Sequence, residues 1–189
     1  MKLAISTLTA AWLLASGAHA ADELDGPLTD LANGPITEWI SAPVVLEALR
    51  RQNAAHASLT QDEIIALDTT WREQVVSGGA LIDNVLGNDL SGHLRALQEQ
   101  GAGRYTEIFV SDIRGLNVGQ SGLTSDYWQG DEAKWQVPHD TFRIHVGEVE
   151  FDESSSTYQS QVSVPIIDNG SFAGVITVGI DVEMLAAAN

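Results

Sequence analysis

A long β-hairpin is predicted by residues 158–181, which read Tyr158-Gln-Ser-Gln-Val-Ser-Val-Pro-Ile-Ile-Asp-Asn-Gly-Ser-Phe-Ala-Gly-Val-Ile-Thr-Val-Gly-Ile-Asp181. On the first strand, one face carries every second residue, namely Tyr158, Ser160, Val162, Val164 and Ile166. The sequence Asp168-Asn169-Gly170 is a hairpin turn signal. The second strand keeps the same period with Phe172, Gly174, Ile176, Val178 and Ile180. A period of two over both arms indicates an antiparallel pair with one buried face.

Three further strands are predicted upstream of the hairpin. Residues 105–113 are rich in β-branched and aromatic side chains, and residues 114–117 resemble a hairpin turn that leads to a second strand over 117–124. Residues 143–151 alternate with a phase slip near Gly147, which indicates a bulge. The pattern predicts a five-stranded antiparallel meander.

Most of the predicted helices lie before residue 104. Ile36, Trp39, Ile40, Val44 and Ala48 follow helical spacing, and Pro43 either kinks one helix or lies in the first turn of a new one. A capping box at 60–63 starts the next helix, a third ends near Gly101, and a short one covers 131–136. Helices followed by strands predict an α+β fold in which N-terminal helices pack on one face of a five- to six-stranded antiparallel sheet.

The composition excludes several classes of protein. The chain has 189 residues, a formal charge of -17 and no cysteine. The negative charge disfavours binding to nucleic acid or to an anionic membrane surface. The lack of cysteine excludes disulfides, thiolate metal sites and iron–sulfur clusters. The histidines have no ligand spacing and no nucleotide or hydrolase motif is present, so we expect no metal, no cofactor and no enzymatic activity.

The N-terminus predicts an export signal. Lys2 precedes the apolar run 3–15, and Ala18-His19-Ala20 fits a cleavage site. We expect cleavage after Ala20, a periplasmic protein without a membrane anchor, and a polar leader over 21–34. Residues 35–189 then form a single domain, with a helical part over 35–101 and a sheet part over 104–185.

Aromatic and charged residues concentrate in the stretch 123–135. Aromatic rings beside charges of both signs suit a pocket for a small polar ligand, and Asp126, Tyr127, Trp128 and Lys134 are the predicted contacts. The alternative is a surface turn whose tryptophans close a small core. Trp135 is expected to pack the short helix onto the sheet.

Two charged residues at strand ends are further candidates. Arg143, at the start of the third strand, can hold a ligand carboxylate or protect a sheet edge. Asp181, at the end of the last strand, can accept a ligand ammonium or cap the turn that follows.

The chain resembles the Cache (PDC-type, PAS-like) extracytoplasmic sensor domains, and in particular stand-alone exported single-Cache proteins. The resemblance covers nearly all of the mature chain. It rests on motifs in a specific order and spacing, which are Ala42-Pro43-Val44-Val45, Gln52-Asn53, Ile64-Ile65-Ala66-Leu67-Asp68 with Trp71, Glu107-Ile108-Phe109-Val110-Ser111-Asp112, Gly115-Leu116-Asn117-Val118, residues 124–135, Phe151-Asp152-Glu153-Ser154, Gln161-Val162-Ser163 and residues 174–181.

The resemblance implies a long N-terminal helix on a five- or six-stranded sheet. It implies an organic acid, amino acid or amine bound between the sheet and the connection after the second strand, where Asp126, Tyr127, Trp128 and Lys134 fall. Asp181 matches the acidic residue that closes the last strand in amino-acid-binding members. The fuller arginine-and-aromatic signature of those members is absent, which leaves amino-acid specificity open.

The resemblance also implies a role in signalling. Typical members are joined to a membrane kinase or chemoreceptor, whereas here a cleavable signal replaces the anchor. We therefore expect a periplasmic sensor that binds a small metabolite and acts on a separate membrane histidine kinase or chemoreceptor, with a homodimer as one route. A protein-interaction module without a small ligand is the alternative. A hydrolase or isomerase that uses Asp126 and Lys134 ranks last.

Overall fold

Helices and one antiparallel sheet make up the computed structural model, which describes residues 16–153 and 155–188. The helices are α1 (Ser16–Leu31), α2 (Thr37–Ile40), α3 (Pro43–His56), α4 (Gln61–Ser77), α5 (Ala80–Leu86), α6 (Asp89–Gln100), α7 (Ala133–Thr141) and α8 (Val182–Ala187). The strands are β1 (Tyr105–Asp112), β2 (Asn117–Gln120), β3 (His145–Val146), β4 (Glu150–Asp152), β5 (Thr157–Asp168) and β6 (Ser171–Asp181). The predicted α+β class is confirmed.

Local sequence signals set the helix ends. Thr60 and Glu63 form the predicted capping box at the start of α4, and Pro43 lies in the first turn of α3. The side chain of Asn88 caps α6 by accepting from Ser91 N at 2.8 Å, and Gly101 ends that helix. The capping box and the end at Gly101 agree with the sequence prediction, and the position of Pro43 is one of its two alternatives, because each depends on neighbouring residues only.

The strand order differs from the predicted meander. The order is β2-β1-β6-β5-β3, and β4 also pairs with β5. The two hairpins, β1–β2 and β5–β6, are as predicted, but β6 returns to lie between β1 and β5. The prediction of a meander was wrong because the chain crosses one face of the sheet through α7 before it forms β3. Strands β1 and β6 are far apart in the sequence, and their pairing is not marked by any turn sequence.

Two predicted strands are shorter than expected. Strand β2 ends at Gln120, and the strand predicted over 143–151 is divided into β3 and β4. The division falls at Gly147, whose N–H donates to Gln161 O at 2.8 Å while its carbonyl accepts from Ser160 Oγ at 2.7 Å. The phase slip in the sequence therefore marks a break between two strands, and the sheet formed by the described residues has six strands.

The larger core lies between the helices and one face of the sheet. Leucines of α3 and α6, including Leu49, Leu90 and Leu94, pack against even-numbered residues of β1, β5 and β6. Those residues are Ile108, Val110, Val162, Val164, Ile166, Ile176, Val178 and Ile180. Odd-numbered residues of the same strands point to the opposite face, where α7 and the connection from β2 to α7 lie.

The predicted polar leader over 21–34 is mostly helical. Helix α1 extends to Leu31, and a kinked segment at Ala32–Ile36 joins it to α2. Leu28 and Ala32 are buried in the larger core, so this region packs against the domain. Residues 1–15 of the predicted signal peptide lie outside the described residues. Within the described ranges, none of the helices combines the length and the apolar character that a bilayer span requires.

Candidate functional site

A cleft with two adjoining lobes opens on the odd-numbered face of the sheet. The inner lobe has a volume of about 290 Å³ and the outer lobe about 360 Å³. The two lobes share Lys134, Asp152, Gln159 and Gln161. The inner lobe is further lined by Glu107, Phe109, Leu123, Thr124, Ser125 and Gln129. The outer lobe is further lined by Glu132, Ala133, His145, Gly147, Glu148, Glu150 and Phe151. These volumes suit a ligand of metabolite size.

Strands β1, β5 and β6 build the floor of the cleft. Gln161 and Glu107 both lie opposite Gly179 of β6, one on each side. Because Gly179 has no side chain, Gln161 Nε2 reaches across it and donates to Glu107 Oε1 at 2.7 Å. A β-bulge between Tyr105 and Glu107 places the Thr106 hydroxyl against the Gln159 amide oxygen. Polar side chains on a rigid sheet therefore face the inner lobe.

Glu107 is a carboxylate held largely away from water. Burial raises its pKa, the nearby charges of Asp152 and Glu132 act in the same direction, and the bond from Gln161 and the charge of Lys134 oppose the shift. A carboxyl group in this environment responds strongly to the charge of whatever enters the cleft.

Lys134 and Phe109 form one wall of the inner lobe. Lys134 lies in the first turn of α7, and its Nζ is 5.6 Å from the centroid of the Phe109 ring. The same ammonium pairs with Glu132 Oε2 at 3.0 Å, and the Lys134 side chain is 15% exposed. Trp135 packs α7 onto the sheet as predicted, since its ring lies edge-on to Phe172 of β6 and its Nε1 donates to Asp112 O at 3.1 Å.

The connection from β2 to α7, residues 121–132, forms the roof of the inner lobe and is anchored to α4. Asp68 Oδ1 accepts from the N–H groups of Tyr127 and Trp128 at 2.9 and 3.0 Å. Trp71 Nε1 donates to Thr124 O at 2.9 Å, and its ring stacks on Tyr127 with centroids 5.3 Å apart. Helix α4 thus fixes the position of the roof over the sheet.

The predicted site residues occupy different places in the structure. Lys134 lines both lobes of the cleft. Tyr127 and Trp128 instead pack with Trp71 and Leu116 in a second core beneath α4 and α5, and burial raises the pKa of Tyr127. Asp126 Oδ1 pairs with Arg72 Nε at 2.8 Å. The alternative in which the aromatic residues close a small core therefore describes Tyr127 and Trp128.

The two strand-end candidates lie away from the lobes. Asp181 is buried and caps α8, with Oδ1 accepting from the N–H groups of Glu183 and Met184 at 2.9 Å each. Arg143 is exposed and precedes β3. Neither side chain is among the described residues that line the cleft.

Several residues of the cleft were missed by the sequence analysis. Glu107, Gln159 and Gln161 occupy odd positions on strands whose even positions are mostly apolar. This alternation could have indicated that the odd-numbered face of the sheet lines a polar cleft. The sequence analysis also assigned no structural role to two buried aspartates. Asp68 anchors the roof, and Asp112 accepts from Arg114 N, Leu116 N and Gln52 Nε2 at 2.8, 3.0 and 2.9 Å.

The described residues contain no group of three or more His, Cys, Asp or Glu side chains placed to hold a metal ion. Asp126 and Lys134, the pair considered for acid–base chemistry, are bound to different partners, Arg72 and Glu132.

No protein-family profile and no curated protein matches the chain. Solved structures do match. The sensor domain of E. coli DcuS aligns with a TM-score of 0.52 and 13% identity over 86% of this chain and 97% of that domain. The extracellular domain of vpHK1S-Z8, named as a histidine kinase, aligns with a TM-score of 0.50 and 12% identity over 90% of this chain. This chain spans 56% of the vpHK1S-Z8 structure. At such identities the likeness establishes the fold alone, and the chain has the fold of the Cache (PDC-type) sensor domains.

Proposed function

We propose that this protein is a sensor module that binds a small polar metabolite in the cleft between the sheet and the connection from β2 to α7. The observation that carries the proposal is the cleft itself, with a polar floor on three strands and a roof anchored to α4. The sequence resemblance supports the proposal, because it implies a ligand between the sheet and the connection after the second strand. Protein pockets of this kind are usually preformed and carry a few convergent polar groups.

The proposed mechanism is a change in the roof on binding. A ligand in the inner lobe contacts Thr124 and Gln129 of the roof as well as Glu107 and Gln161 of the floor. The roof is hydrogen-bonded to Asp68 and Trp71 of α4, so the roof and α4 move together. A ligand that bridges floor and roof therefore shifts the balance between open and closed positions of the roof and α4.

Export and partner also belong to the proposal. The predicted signal peptide places the protein in the periplasm, where a separate membrane histidine kinase or chemoreceptor receives the signal. The structural relatives support this setting, because one is named as a sensor domain and the other as the extracellular domain of a histidine kinase.

A ligand screen by thermal unfolding tests the function. We expect at least one member of a broad set of amino, carboxylic and amine metabolites to raise the melting temperature, since a ligand that binds only the folded state stabilises it. Gln161→Ala removes a side chain shared by both lobes and should weaken that ligand at least ten-fold by calorimetry. Gln100→Ala, at an exposed position of α6, is the matched control and should leave affinity unchanged.

Two results would count against the sensor proposal. One is a complete absence of stabilisation across the set. The other is a ligand whose affinity is the same for wild type and Gln161→Ala, because such a ligand binds outside the cleft.

An apolar groove favours a second function, that of an interaction module without a small ligand. It has a volume of about 590 Å³ and is lined by Leu24, Leu28, Val146, Val149, Tyr158 and Val182 among others. Tyr158 is 51% exposed, and the neighbouring Phe151 is 55% exposed. In this case no metabolite shifts the melting temperature, and Val149→Asp abolishes co-purification with a membrane histidine kinase or chemoreceptor.

A further inference from the structure

The charges that line the cleft are strongly unequal. Lys134 is the one lysine among the described lining residues, which include no arginine. The carboxylates are five, namely Glu107, Glu132, Glu148, Glu150 and Asp152. His145 adds little positive charge near neutral pH, because burial lowers its pKa. A ligand that enters the cleft therefore meets a negative potential.

The single lysine is already engaged. Its Nζ is 3.0 Å from Glu132 Oε2 and lies over the Phe109 ring. A ligand carboxylate in the inner lobe would have to compete with Glu132 for this ammonium while facing Glu107 and Asp152. Desolvating an anion beside two carboxylates is unfavourable unless a strong cation compensates for it.

The inner lobe also carries groups that suit a cation. Glu107 Oε1 accepts a hydrogen bond from Gln161 Nε2 at 2.7 Å, so a carboxyl group is held in place on the floor. The Phe109 ring already carries one ammonium group, with Lys134 Nζ at 5.6 Å from its centroid, so the aromatic surface of this lobe suits a positive charge. The hydroxyl of Thr124 and the side chains of Gln129 and Gln159 add polar contacts around the same space. A carboxylate, an aromatic face and neutral polar groups together form a site for an ammonium group.

We infer that the ligand of the cleft is a cationic amine, with one or more ammonium groups and no carboxylate, and that Glu107 receives an ammonium in the inner lobe. The inference rests on the proposed function and narrows its ligand from a small polar metabolite to one charge class. The outer lobe, with Glu148, Glu150 and Asp152, accommodates the remaining length of the amine or a second ammonium.

The test compares molecules that share a carbon chain and differ in charge. Calorimetry and thermal unfolding are carried out with 1,4-diaminobutane, 4-aminobutanoate, 1,4-butanediol and succinate, and with their six-carbon counterparts. We expect the diamine of at least one length to bind ten-fold or more tightly than the other three compounds of that length. Glu107→Gln, which keeps the shape of the side chain, should weaken the diamine at least ten-fold, whereas Glu99→Gln at an exposed site on α6 should not.

The outcomes separate this inference from the function on which it rests. If the aminobutanoate, the diol or the dicarboxylate binds best, the cationic class is wrong and the sensor function stands. If the diamine binds equally to wild type, Glu107→Gln and Glu99→Gln, it associates with the acidic surface in general and the site is wrong. If no amine binds while a carboxylic acid or an amino acid of the broad set does, the inference fails alone. If nothing in the broad set binds, the sensor function fails with it.

Discussion

Glu107 shows how a desolvated carboxyl group in a cleft can work against stability. Its carboxyl group lies in the inner lobe and accepts one hydrogen bond from the Gln161 amide, and burial raises its pKa above the ordinary value of glutamate. Lys134 lies near enough to oppose this shift, while Asp152 and Glu132 increase it. The folded protein therefore binds this proton more tightly than the unfolded chain does. A bound ammonium would supply the missing charge and stabilise the ionised form.

The substitution Glu107→Gln should make the free protein more stable at neutral pH. A raised pKa in the folded state means that the stability associated with the protonated form is present at low pH and is lost as pH rises through that pKa. Glutamine stays neutral throughout, so the variant should exceed wild type by about 1 kcal/mol at pH 8, the scale of single stabilising changes at functional sites. The difference should vanish at about pH 4. Urea unfolding of both proteins from pH 4 to 8 measures it, and a wild type that gains on the variant with rising pH would contradict the assignment.

Asp181 is predicted to support stability and to leave ligand binding unchanged. Its Oδ1 accepts two N–H groups at the start of α8, and the residue does not line the cleft. Asp181→Ala should lower the free energy of unfolding by about 1 kcal/mol, the usual value of an N-cap, and change ligand affinity less than two-fold. Asp181→Asn keeps a capping oxygen and serves as the control. A ten-fold loss of affinity with unchanged stability in the alanine variant would restore Asp181 as a ligand contact.

At the scale of elements, helix α4 holds the roof of the cleft in position. Asp68 and Trp71 lie one turn apart on α4, so both side chains reach the connection from β2 to α7. Asp68 also pairs with Arg72 at 2.5 Å, and Arg72 in turn holds Asp126. The motif at residues 64–71, on which the family resemblance partly rests, therefore contains the two side chains that hold the roof in position.

The substitution Asp68→Ala should release the roof. It leaves the N–H groups of Tyr127 and Trp128 without their acceptor, which should cost about 2–4 kcal/mol of stability. Hydrogen exchange at these two amides should accelerate more than exchange at the centre of β6, because the roof loosens before the sheet opens. Glu73→Ala, exposed on the same helix, should stay within about 0.5 kcal/mol of wild type. Unchanged exchange at both amides would show that α4 does not position the roof.

Each contact of the fold could be predicted only where the residues that make it lie close together in the sequence or follow a regular pattern. The capping box at Thr60, the turn at Asn169-Gly170 and the packing of Trp135 were all predicted, since each depends on a local pattern or an alternation. The pairing of β1 with β6 was not predictable in this way, because only the packed domain brings these strands together. The cleft was missed for the same reason, as Glu107 and Gln161 meet across Gly179 from strands distant in sequence.

At the scale of the molecule, the negative charge of the chain connects stability with ligand preference. The formal charge is -17, and a compact domain with this charge is destabilised by repulsion among its own carboxylates. The same field attracts cations toward the protein. Basic residues number 9 against 26 acidic ones, so ion pairs such as that of Arg50 with Asp168 at 2.6 Å can neutralise only a minority of the carboxylates. Repulsion among the carboxylates therefore lowers the stability of the fold, whereas the same negative charges attract a cationic ligand.

Sodium chloride should consequently change stability and amine binding in opposite directions. Raising the concentration from about 0.05 to 1 M shortens the screening length from about 14 to 3 Å, which weakens carboxylate repulsion and should add about 1 kcal/mol to the free energy of unfolding. The same screening weakens the attraction between a diamine and the cleft, so its affinity should fall several-fold. Binding of the uncharged 1,4-butanediol should change little, which provides the control. Urea unfolding and calorimetry across the salt series measure both effects. A diamine affinity independent of salt would contradict an electrostatic site, because a cation held by the carboxylates of the cleft must lose affinity when their field is screened.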